Sequence, residues 1–375
     1  MRNMWLGLTG FALIAVSYGL ARFAWGVMLP DVMRDIPFTP QGAGILSACS
    51  FLAYCLAILV TPSLSAKAGP RLPALLSSLS AASGLLLIAL AQSAWLLGLG
   101  LFIAGVSAGL ASPAIAAAVS QTVADTRQPK MNMIINAGTS AGIIVSVPVL
   151  FWLPGGWRMA CTLFALLALL CALPVWRTLP KEKPLTPSAS LPGFLHQRAL
   201  QRLMAIAFFS GIASAAWWSF GPELLHKLGL EQGTISLLWV TAGAAGIAGA
   251  LTGPLANVIA MKQIYRLSQC CLALPLLLLA FSHHFSWWLF PGVALGGAGY
   301  VTLSGVLLVW GADATESSPA TGVSTLFFML ALGQVIGSML FGQIYALASG
   351  ETALLMFAAL PVLLVFAIRH KQRQP

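Results

Sequence analysis

The chain has 375 residues, 59% of them hydrophobic and only 7% charged, with a formal net charge of +10 and a mean hydropathy of +0.90. A soluble domain is about a quarter charged, so this composition excludes a water-soluble protein and points to an all-α chain embedded in a bilayer. The six cysteines (Cys49, Cys55, Cys161, Cys171, Cys270 and Cys271) fall within apolar stretches at neither disulfide nor metal-ligand spacings. They read as packing residues, and neither metal nor cofactor is expected.

About 20 apolar residues cross the hydrocarbon core as a helix, and such runs recur between short polar or Pro/Gly breaks. In chain order the predicted spans are 5–29, 41–60, 72–91, 95–119, 131–152 and 157–176, then 203–224, 234–258, 264–281, 287–310, 321–347 and 352–368. The first is too long for a signal-peptide core and lacks a small-residue cleavage site, so it is expected to be retained. The third and fourth are separated only by the short break at Gln92-Ser93-Ala94. The Pro- and Lys/Arg-rich stretch 177–201 has no apolar period and reads as a linker. It divides the chain into an N-terminal half, 1–176, and a C-terminal half, 202–375.

The halves repeat. Residues 19–31, GLARFAWGVMLPD, return as 211–223, GIASAAWWSFGPE, with Gly19, Ala21, Ala24, Trp25 and Pro30 matched 192 residues on by Gly211, Ala213, Ala216, Trp217 and Pro222. Gln41-Gly42 and Thr61 return at 191 as Gln232-Gly233 and Thr252; Ala124-Asp125 returns at 188 as Ala312-Asp313. Gly138 and Gly142 match Gly333 and Gly337 at 195, which sets Gln334 opposite Thr139. Duplication in a membrane chain is a signature of transporters.

Threading twelve spans with both termini on one side gathers most basic residues there, among them Lys67, Arg71, Arg127, Lys130, Arg177, Lys181, Lys262 and Arg266, and leaves Arg34, Arg158 and Lys227 opposite. This asymmetry predicts both termini in the cytoplasm. It accounts for the basic excess without nucleic acid. Both repeats then start from the same face, so an axis along the membrane normal relates two six-helix bundles with a cavity between them.

Six plus six helices, a basic linker and Gly253-Pro254-Leu255-Ala256-Asn257 after the eighth span resemble the major facilitator superfamily, whose loop there reads roughly Gly-x-Leu-Ala-Asp-Arg-x-Gly-Arg. The copy after the second span, residues 62–71, keeps Leu64, Gly69 and basic residues but has Ala66 at the Asp position, and the family's frequent arginine in the fourth helix falls near Leu101. Gly19-Leu20-Ala21-Arg22-Phe23, Leu29-Pro30 and Asn136-Ala137-Gly138-Thr139 look like the YbfB/YjiJ-like branch. The resemblance implies a transporter of small solutes and brings no defined substrate.

Arg22 is the one charge placed well inside a span, roughly 12 Å from Pro30 and about 8 Å outward of its span's middle. A guanidinium stays charged and is costly in hydrocarbon, so it should face a cavity, a carboxylate or carbonyls. Tyr18, Arg22 and Trp25, at i, i+4 and i+7, share one α-helical face, which suggests an anion site with aromatic walls. The alternative is a structural Arg22 that snorkels or pairs with a carbonyl. Trp217 and Trp218, about 100° apart on the seventh helix, should send one indole into the cavity. Asn132, Asn136 and Thr139 share a face, and with Gln334 they either orient substrate or bond neighbouring helices.

By resemblance, Asp125 joins Lys67 or Arg71 as a gate; otherwise it is a solvated charge. The carboxylates fall at span ends or in loops, where the matched Asp31 and Glu223 are the best candidates for proton coupling. His283 and His284 read as loop residues. No catalytic His, Asp or Glu lies beside a serine within the spans, which argues against an enzyme. No Gly-x-x-x-x-Gly-Lys loop is present, which argues against ATP drive. The expected function is secondary transport of a small organic solute across a bacterial inner membrane by alternating access, by a monomer, with an Arg-centred site favouring anions. The alternatives are efflux of amphipathic compounds with Arg22 structural, or a sensor that keeps the fold without transporting.

Overall fold

The computed structural model describes residues 2–182, 198–249, 252–256, 258–315 and 319–367. They form twelve principal helices and, among the described residues, no strand. We number them α1 (Asn3–Asp35), α2 (Pro40–Ala68), α3 (Arg71–Leu90), α4 (Ala94–Thr122), α5 (Gln128–Trp152), α6 (Gly156–Thr178), α7 (Arg198–Lys227), α8 (Gln232–Gly249), α9 (Met261–Phe281), α10 (Leu289–Asp313), α11 (Pro319–Leu347) and α12 (Gly350–Leu364). A short helix, Thr252–Ala256, follows α8. Ten are long and apolar enough to cross a membrane, and α12 is a shorter apolar helix.

Local chemistry sets the ends. Thr39 caps α2, its hydroxyl accepting from the Gly42 N–H just before Pro40; Ser93 caps α4 by accepting from Leu96 N–H, so the narrow Gln92-Ser93 break is real. Arg158 donates to the carbonyls of Ala89 (3.1 Å) and Ala91 (2.5 Å), closing the C-terminal end of α3 from α6. The stretch 62–71, expected as a loop, continues α2 to Ala68 and turns only at Gly69, whose φ of +74° favours glycine.

Two departures from the expected spans matter. First, α1 runs on past Pro30 to Asp35, so Arg22 lies three residues, about 5 Å, from the middle of its helix rather than 8 Å. Second, Ala15–Phe23 within α1 is π-helical. A π turn bonds residues five apart and so advances each by a smaller angle than an α turn, a local widening common at functional sites.

The duplication is visible in how each half packs. In the first, Gly19 lies so close to Gly142 that a Cβ would strike its Cα; in the second, a Cβ on Gly211 would strike the Leu330 carbonyl and come within 3.1 Å of the Gly333 Cα. These close glycine contacts seat α1 on α5 and α7 on α11. They also correct the repeat. The counterpart of Gly142 is Gly333, a shift of 191 that agrees with the neighbouring matches, where the sequence suggested Gly337 at 195. Gln334 is therefore the counterpart of Ile143 and not of Thr139.

Between the halves, α2 packs on α11, α5 on α8 and the outer part of α1 on α7. The backbones come into close contact at Gly26, against the Trp218 carbonyl, and at Gly44, against that of Ser338. Both contacts lie toward the face away from the linker.

Candidate substrate site

Toward the linker face the halves part around a cavity of about 980 Å³. Its walls follow α5 from Gln128 and Lys130 through Asn132, Met133 and Asn136 to Thr139, and α10 from Ala312 back through Leu308 and Ser304 to Tyr300. Its closed end is formed by Tyr18, Arg22 and Phe23 of α1, Tyr54 of α2, Ser112 of α4, and Leu330 and Gln334 of α11.

Arg22 is 6% exposed. Its Nη2 donates to Gln334 Oε1 at 2.7 Å across the bundle boundary, and Gln334 Nε2 donates in turn to Ser214 Oγ and Tyr300 OH, both at 3.2 Å. Arg22 and its repeat mate Ser214 thus converge on one amide. The guanidinium carbon lies 4.6 Å from the Tyr54 ring centroid, 4.7 Å from Phe51, 5.3 Å from Phe23 and 5.7 Å from Tyr18. Ring faces attract a cation through their quadrupoles, so aromatic faces take the place a carboxylate would fill. Arg22 Nε is buried without a hydrogen-bond partner. Tyr18 OH is fixed by Ser112 Oγ at 2.8 Å and donates to Tyr54 OH at 3.4 Å.

Among the candidates, Arg22, Tyr18, Asn136, Thr139 and Gln334 meet on the cavity wall. Trp25 does not. The wider π turn upstream breaks the i, i+7 alignment with Tyr18, and the Trp25 indole N–H donates instead to Ser47 Oγ on α2 at 2.8 Å. Neither Trp217 nor Trp218 lines the cavity; Trp218 packs behind its closed end on Phe23 (4.7 Å), Tyr300 (5.3 Å) and Trp239 (5.4 Å), and Trp217 lies tilted against Trp239. Arg71 Nε donates to the Leu179 carbonyl at 2.7 Å with its guanidinium over Trp176, tying α3 to the end of α6. Lys67 makes no ion pair among the described residues, and the Asp125 side chain and Asn257 lie outside them. Asp31 pairs with Arg34, and Glu223 is buried 3.9 Å from Lys227, both away from the cavity wall.

Sequence reasoning missed Tyr54, Phe51 and Tyr300. Tyrosine in membrane helices favours the interfaces, yet Tyr54 and Tyr300 sit at the midpoints of α2 and α10. Their depth was the available signal.

A duplicated pair of bundles around a central cavity open to one face is the architecture of an alternating-access carrier, and the family model of the Major Facilitator Superfamily matches residues 11–338. The chain belongs to the Major Facilitator Superfamily. As such it is a multi-pass membrane protein and a secondary transporter of small solutes. Its fold is similar to crystal structures of the nucleoside transporter NupG. A mutant form superposes with a TM-score of 0.78 at 13% identity, covering 96% of this chain and 98% of that one. A second structure gives 0.71 at 18%, covering 98% of both. At these identities the likeness to NupG is one of fold, while the superfamily assignment rests on the sequence match.

Proposed function

We propose that this carrier moves small organic anions with an apolar or aromatic body, its two bundles rocking about the cavity to expose Arg22 to each face in turn. The observation that supports this reading is the unanswered charge of Arg22. It stands buried at the closed end, and among the described residues no carboxylate lines the cavity, while Lys130 adds a second cation nearer the mouth. An arginine at mid-membrane costs about 2.5–3.5 kcal/mol on insertion scales. Its planar fork is matched to carboxylate geometry. Tyr18, Tyr54 and Gln334 border the anionic end of such a ligand; Met133, Leu308, Phe327 and Leu330 border its body, with Asn136 and Thr139 orienting it. The positive-inside asymmetry supports cytoplasmic termini in a bacterial inner membrane, so that the cavity opens inward. The bundle boundary falls in 177–201, and the carrier acts as a monomer.

The test is thermal unfolding of the purified protein with benzoate, succinate or tetraphenylphosphonium. Stabilisation by a carboxylate that Arg22→Ala abolishes is the expected result. Stabilisation by the lipophilic cation alone would replace the anion reading with efflux of amphipathic cations, Arg22 then being a structural residue held by its rings and Gln334.

A further inference from the structure

We infer that this carrier exchanges one anion for another, because its empty form changes faces far more slowly than its loaded form; the inference rests on the anion reading above. The argument is one of charge balance at the boundary between the bundles. Arg22 is the one buried cation among the described residues, and its surroundings are four ring faces and the neutral amide of Gln334. The other buried charge, Glu223, stands nine residues beyond Ser214 on α7, about 13 Å along the helix, with Lys227 beside it. Neither a carboxylate nor a histidine is among the described residues lining the cavity. The site thus holds a positive charge that no neighbouring group cancels, and a guanidinium does not give up its proton.

While the cavity is open, its water reaches the small part of the guanidinium that the rings leave uncovered. Changing faces requires the mouth to shut, which withdraws the water. An unpaired buried cation is then strongly disfavoured, whereas a carboxylate on the fork pairs it. Ring faces attract the cation yet leave its net charge in place. The empty carrier must therefore occlude Arg22 unpaired, whereas a carrier holding a carboxylate occludes it as an ion pair. Gln334 fits this cycle. Fixed by Ser214 and Tyr300, its amide supplies a neutral acceptor to Nη2 in the empty site, and an entering carboxylate displaces it.

The experiment uses proteoliposomes loaded with labelled benzenesulfonate or succinate, anions that stay ionised and do not leak through lipid, whichever gives the larger thermal stabilisation, with the membrane potential clamped by potassium and valinomycin. Efflux is timed into buffer with and without the same compound outside. External compound should speed efflux at least tenfold, and a pH gradient should not drive accumulation. Acceleration below tenfold, or accumulation driven by the pH gradient, overturns exchange alone. Binding of either compound without flux in any mode overturns exchange and leaves a sensor; binding of neither sinks the anion reading itself. A Q334E variant adds an independent check. It gives Arg22 a fixed countercharge, so it should unfold at a higher temperature and lose the stabilisation by the added anion. An undiminished shift would show that the anion does not compete for that fork.

Discussion

The boundary between the bundles is backbone-tight at one end, wide and polar at the other. Away from the linker, Gly26 and Gly44 bring main chain against main chain, and Trp218, Trp239 and Phe23 fill the space beside them. Toward the linker the facing helices separate around Arg22, Asn136, Tyr300 and Gln334. Close-packed contacts of the first kind have few intermediate positions, because packed interiors are bistable rather than continuously deformable. A cavity of the second kind can fill or empty with little rearrangement. The tight end holds the present conformation, and the open end receives the ligand.

The largest expected effect comes from breaking the tight end. Gly26→Leu sets a side chain against the Trp218 carbonyl and should cut transport in proteoliposomes by about 100-fold or more at normal membrane abundance, the scale of nearly 3 kcal/mol in a barrier. A wild-type rate would mean that this contact plays no part in the cycle. Next is the closed end of the cavity. Arg22→Ala should weaken carboxylate binding by roughly 10- to 100-fold, the range for losing a charged hydrogen-bonding partner. Arg22→Lys should recover little of it, since an ammonium offers no planar fork; full binding by the lysine variant would reduce Arg22 to a point charge.

Tyr300→Phe probes the link between the two ends, for its hydroxyl holds Gln334 while its ring packs on Trp218. Loss of one neutral hydrogen bond, about 1 kcal/mol, loosens Gln334 and eases its displacement, so carboxylate binding should tighten by up to roughly fivefold. The smallest effect on binding is expected from Trp25→Phe. It removes the bond to Ser47, so stability should fall by about 1 kcal/mol while carboxylate affinity stays within about twofold. A large loss of affinity would return Trp25 to the site.

The frame was legible because lipid leaves few options. Apolar length, the break at Ser93 and the repeated glycines each have one physical reading in a bilayer. Arg22, Asn136, Thr139 and Gln334 were legible as polar groups too deep to be solvated by lipid. Trp25, Trp217 and Trp218 were not, since an indole serves a binding wall, a helix contact or an interface equally well. The direction of Trp25 also depends on a π turn that the helical period does not announce. Arg71, whose basic charge suggested a gate, bonds a helix-end carbonyl in this conformation. The one-step error at Gly337 came from glycines spaced four apart, where sliding by one helical turn preserves the pattern.

The π turn also makes α1 a phase shifter. Its two ends keep their places, yet the outer half is rotated relative to the inner half, as when a screw thread is cut and rejoined at a different angle. No π stretch interrupts α7, so it keeps a single phase from Arg198 to Lys227. Two copies of one helix can therefore share Gly, Ala, Trp and Pro in sequence while presenting them in different directions, and an aligned residue in one is no guide to the direction of its mate.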